Sequence, residues 1–85
     1  MYVVMWAPSA ERDLAQIWND AADRPAVTHS ANEIDTALTR DPLNFGEARR
    51  GITRVAFVKP LAVLFDVYED RQKVWVWDIW GWPTK

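Results

Sequence analysis

At 85 residues and 9.8 kDa the chain is one domain, which excludes any enzyme built as two lobes around a cleft. Cysteine is absent, so a thiol nucleophile, a redox pair and a cysteine-based zinc site are excluded, and the composition fits a reducing compartment. Hydrophobic residues are 49%, charged residues 26% and the net charge is −2, a balance that suits a folded domain and argues against nonspecific nucleic-acid binding; six tryptophans are the outlier.

Tyr2 to Trp6 is a short apolar run rich in β-formers that ends at Ala7-Pro8, and it reads as a strand. Ser9 is the expected N-cap of a helix, with Glu11 in the first turn and an apolar stripe at Ala10, Leu14, Ile17, Trp18 and Ala21. Asp23 followed by Arg24-Pro25 starts a second helix, because proline is accepted in a first turn. Val27, Ala31, Ile34 and Leu38 carry it to about Arg40, where Asp41-Pro42 stops it. His29 falls away from the buried stripe, so it is expected to be an exposed helix residue. A lone imidazole offers no metal site, and no metal or other cofactor is implied.

From Leu43 to Gly51 the periodicity is lost, and Asn44, Gly46 and Gly51 suggest a surface loop. Charge also changes here. Residues 1–41 carry three cations against seven anions, whereas residues 42–85 carry seven against five. The excess gathers at Arg49, Arg50, Arg54 and Lys59, either a solvated loop and strand edge or a site for phosphate or another target.

Ile52–Val58, Leu61–Tyr68 and Lys73–Trp80 then alternate with period two, separated by Lys59-Pro60 and by Glu69 to Gln72, both short enough for hairpins. The expected fold is α+β in two layers, a helical hairpin packed on a four-stranded antiparallel sheet in the order β-α-α-β-β-β. On the last strand, Trp75, Trp77 and Ile79 point one way, and Val74, Val76, Asp78 and Trp80 the other. Leu61, Val63, Phe65 and Val67 likewise oppose Ala62, Leu64, Asp66 and Tyr68. Two helices cover one face only. The other is left apolar and aromatic, with Trp80 or the Trp75/Trp77 pair on it, to be covered by a protein partner or by Gly81-Trp82-Pro83 folding back.

This order of elements resembles the RelE/ParE superfamily of type II toxin–antitoxin toxins over nearly the whole chain. The resemblance is carried by Trp6-Ala7-Pro8-Ser9-Ala10-Glu11-Arg12-Asp13-Leu14 at the strand-to-helix junction and by Asp41-Pro42-Leu43-Asn44-Phe45-Gly46 after the second helix. Arg54 to Val58, Leu61 to Val67 and Val74 to Trp80 look like the family's central and last strands. It implies a cytoplasmic growth inhibitor of the plasmid-stabilisation kind, held inactive by a cognate antitoxin. Its target is either the ribosome with its messenger RNA, as a ribosome-dependent endoribonuclease, or DNA gyrase. The chain departs from the ribonuclease pattern, since the arginine expected near the start of the third strand matches Ala62 and the basic residues expected after the last strand match Trp82-Pro83. Only Arg54 sits where a family cation would.

The residues themselves supply few catalytic candidates. Arg54 could stabilise a phosphorane, and Asp66 or Asp78 could accept a proton if their neighbours tuned them; for both aspartates a solvated edge or a salt bridge to Arg54 is the competing explanation. Trp75, Trp77, Trp80 and Trp82 are the expected antitoxin contacts. A non-toxic scaffold that homodimerises through the tryptophan face is the remaining alternative. No segment has the run of about 20 apolar residues a membrane span needs, and no signal peptide is expected.

Overall fold

The computed structural model describes residues 1–83. It contains β1 (Val3–Trp6), α1 (Pro8–Asp20), α2 (Arg24–Arg40), β2 (Glu47–Arg50), β3 (Thr53–Val58), β4 (Leu61–Tyr68) and β5 (Lys73–Gly81), with 3-10 turns at Pro42–Asn44 and Glu69–Arg71.

The first helix starts one residue before its expected cap. Pro8 is the first helical residue and Ala7 occupies the cap position without a side-chain hydrogen bond, so Ser9 is not the N-cap. Proline's fixed φ and missing N–H suit the first turn, and the helix therefore takes it in. Ala10 is fully buried, and Leu14 and Ile17 pack on the core. Trp18 leaves the predicted stripe. Its indole donates to Thr28 Oγ1 at 3.1 Å and lies 4.7 Å beneath the Arg24 guanidinium, which itself donates to the carbonyls of Trp18 and Asn19 at the open end of α1. Asp23 caps α2 by accepting from the Ala26 N–H at 3.1 Å. The buried residues of α2 are Val27, Ser30, Ile34 and Leu38, and the Ser30 hydroxyl donates to the Val58 carbonyl.

The sheet corrects the expected topology. It has five strands in the order β1-β5-β4-β3-β2, and it is mixed: β1 pairs with β5 in parallel, and the other neighbours are antiparallel. The difference lies in β2, inside the segment expected to be a loop. Its extra hairpin adds one chain reversal before β3, so β5 runs with β1 rather than against it. Gly46 makes the entry to β2 possible. It sits at φ +73°, and a Cβ there would lie 2.2 Å from the Val55 carbonyl oxygen.

Both helices lie on one face. Leu61, Val63, Phe65 and Val67 of β4 and Val74, Val76 and Ile79 of β5 form a buried core with Val27, Ile34 and Leu38 of α2, and Phe45 stacks on Phe65 at 5.9 Å between ring centroids. The β5 pattern departs from strict alternation. Val76 pairs with Phe65 and Asp78 with Leu64, leaving Trp77 as the extra residue of a β-bulge. Ile79 consequently joins Val74 and Val76 against the helices. Trp80, paired with Ala62, lies on the opposite face with Trp75.

Candidate functional site

The face of the sheet away from the helices carries no other element among the described residues, and the β5 bulge concentrates indoles on it. Trp75, Trp77 and Trp80 all lie there, whereas simple alternation would have divided them. Trp77 is 46% exposed, Phe57 of β3 42% and Val3 of β1 58%, while Trp75 and Trp80 are half-buried. Trp75 and Trp77 meet edge-to-face at 5.5 Å and 77°. Gly81-Trp82-Pro83 covers little of this surface. The Trp82 N–H donates to the Pro60 carbonyl at 2.8 Å and its ring lies 5.2 Å from Phe57, so Gly81-Trp82-Pro83 reaches one end of the face and leaves Trp77 open.

Asp66 sits in the middle of this face and is 8% exposed. One carboxylate oxygen accepts from Thr53 Oγ1 and the other from Trp77 Nε1, each at 2.5 Å. Both oxygens thus have partners, and the carboxylate holds the bulged tryptophan in a fixed orientation. The ion pair with Arg54 is not formed. Arg54 pairs with Phe65 in the register and therefore lies on the helix side, where it donates to the carbonyls of Phe45 (3.1 Å) and Gly46 (3.0 Å). Asp78 is exposed, and its Oδ1 accepts from the Ile79 N–H at 2.9 Å. The three catalytic candidates are therefore not brought together.

The cationic cluster is dispersed as well. Arg49 and Arg50 are exposed on edge strand β2, whereas Lys59 lies in the turn at the far end of β3, about 20 Å away for six extended residues. His29 is exposed, as expected, and stands 3.0 Å from Glu33 one turn along α2. Among the described residues no three His, Asp or Glu side chains converge as a metal site would require.

Two of the concavities among the described residues bear on the aromatic surface and the helix pair. A pocket of about 280 Å³ lies between Met5, Tyr68, Arg71, Lys73, Trp75 and Trp77 on the open face. A groove of about 540 Å³ separates α1 from α2 and is lined chiefly by Trp6, Leu14, Trp18, Val27 and Ala31. The sequence reading assigned no role to Thr53, Phe57, Met5 or Tyr68. The alternation in β3 places Thr53 and Phe57 on one side, but its relation to Asp66 becomes visible only once the β3–β4 register is fixed.

No family model and no curated protein sequence matches the chain. Solved structures do. The toxin–antitoxin complex RelBE2 of Mycobacterium tuberculosis contains a chain that superposes with a TM-score of 0.75 at 20% identity, covering 94% of this chain and 96% of that one. A chromosomal ParDE toxin–antitoxin system of P. aeruginosa gives 0.71 at 15% identity, with 95% and 96% covered. The isolated RelE toxin of E. coli gives 0.68 at 9% identity, with 100% and 88% covered. The chain shares its fold with the isolated RelE toxin and with chains of the RelBE2 and ParDE systems, matched over 88% or more of each chain.

Proposed function

We propose that this chain is the toxin of a type II toxin–antitoxin pair, that it arrests growth by binding a translation or DNA-topology target, and that a cognate antitoxin neutralises it by covering the open sheet face. The observation that carries this reading is that face: a contiguous aromatic surface on a fold shared with toxins, left bare by the molecule's own helices. Trp75, Trp77, Trp80 and Trp82 are its anchors, in keeping with the weight of buried aromatic residues in protein interfaces. Arg49 and Arg50, exposed on the adjoining edge strand, are available to carboxylates of the same partner. A binding mechanism is favoured over ribonuclease chemistry because Arg54 and Asp66 spend their polar atoms on the chain itself.

Induced expression of the chain alone tests the reading. Growth should stop, co-expression of the neighbouring gene's product should restore it, and adding that product to the purified protein should change the tryptophan emission. Growth that continues on induction would instead favour a scaffold. In translating extracts, messenger RNA should stay uncut at toxin levels that arrest cells; specific cleavage would reinstate the ribonuclease.

A further inference from the structure

The two edge-to-face indoles of the open face differ in one respect. Trp77 Nε1–H donates to Asp66, whereas Trp75 Nε1–H is buried and has no acceptor among the described residues. Buried donors are nearly always paired, so this orphan, on a side chain that lines a pocket, calls for an acceptor that the described residues do not supply. The pocket beside Trp75 also holds Arg71 and Lys73, neither of which pairs with a carboxylate among the described residues. The acidic residues nearest in sequence, Glu69 and Asp70, line a separate depression with Leu43, Ile52 and Arg54. Met5, Arg71 and Lys73 are exposed and make no side-chain hydrogen bond among the described residues, so moving them aside breaks no polar contact.

We infer that this pocket receives a carboxylate side chain from the protein partner that covers the open face, with Trp75 Nε1–H as its hydrogen-bond donor and Arg71 and Lys73 as its counter-charges. The occupant is an apolar polypeptide segment bearing Asp or Glu. The apolar part is matched by the flanking rings and Met5, and the acid by two cations beside an unused donor. A carboxylate fits better than a neutral acceptor because hydrogen bonds to an ionised acceptor are shorter and stronger. The inference rests on the partner-binding reading of this face given above and specifies the chemistry recognised at one point of it.

The test uses the full chain labelled with nitrogen-15, its indole resonances assigned by single Trp→Phe variants, and three probes. These are a capped heptapeptide alternating Leu and Glu, the same peptide with Gln for Glu, and hexauridylate. The Glu peptide should move the Trp75 indole proton downfield and bind about tenfold more tightly than the Gln peptide. The double variant R71A/K73A should lose that preference, and Trp75→Phe should weaken the Glu peptide several-fold with the fold intact. Equal affinity for the two peptides overturns the inference, as does the absence of any Trp75 response to the Glu peptide at millimolar concentration. A response to hexauridylate alone overturns it in favour of a nucleic-acid site. Growth arrest without a Trp75 response sinks the pocket and spares the toxin reading; a Trp75 response in a chain whose induction leaves growth unchanged does the reverse.

Discussion

Among the described residues the cost of keeping Asp66 at 8% exposure is met by two donors and no cation, and each donor is therefore individually consequential. Thr53→Val preserves the shape of the side chain and deletes the hydroxyl, leaving one carboxylate oxygen without its partner. The expected loss is about 1–3 kcal/mol, read as a lower urea midpoint with an unchanged slope. Arg54 makes the opposite kind of contribution. Its guanidinium ties the carbonyls of Phe45 and Gly46, so Arg54→Met, which keeps the apolar stem, should also lower stability by about 1–3 kcal/mol. The growth arrest proposed above should not change per folded molecule, whereas a ribonuclease relying on this cation would lose activity well beyond its loss of folded protein. Such roles were out of reach of the sequence. A half-buried arginine bound to two carbonyls and a phosphate-binding arginine look alike until the fold shows which side of the strand faces which partner.

At the scale of elements, β2 depends on Gly46. Gly46→Ala meets both a positive φ and the Val55 carbonyl at 2.2 Å, and backbone cannot yield as a flexible side chain can. The expected loss is about 3 kcal/mol or more by chemical denaturation. Gly51→Ala is the control: φ is +57° but nothing lies within 4 Å of the added methyl, so about 1 kcal/mol is expected. Both helices, β1 and β5 were legible because one face is more buried than the other and so carries a period, and β3 and β4 because they are short apolar runs rich in β-formers. β2 was not, since Glu47, Ala48, Arg49 and Arg50 are all exposed and a strand with no buried face has no alternation to detect. The β5 bulge did leave a trace. Strict alternation sets Asp78 in the core row with Val74 and Val76, and that conflict is resolved by the extra residue at Trp77.

For the whole molecule, missing four residues reversed a global property. One additional hairpin makes the pairing of the first and last strands, β1 with β5, parallel rather than antiparallel. The tryptophan-rich face was nevertheless foreseeable, because the count of apolar rows on β4 and β5 against two helices does not depend on strand direction. This architecture distributes stability unevenly. β4 is bonded to a strand on each side and packs under the helices, whereas β2 is four exposed residues held by β3 alone across an irregular register. Native-state hydrogen exchange should reflect that difference. Amides of β4 should exchange only through global unfolding. Those of β2 that bond to β3 should open locally, at a free energy at least about 2 kcal/mol lower and almost independent of denaturant. A partner seated on the open face and reaching the β2 edge should raise β2 protection towards that of β4, while a partner confined to the groove between α1 and α2 should leave it as it was. Slow, denaturant-sensitive exchange of β2 in the isolated chain would show instead that the edge is already part of the cooperative core.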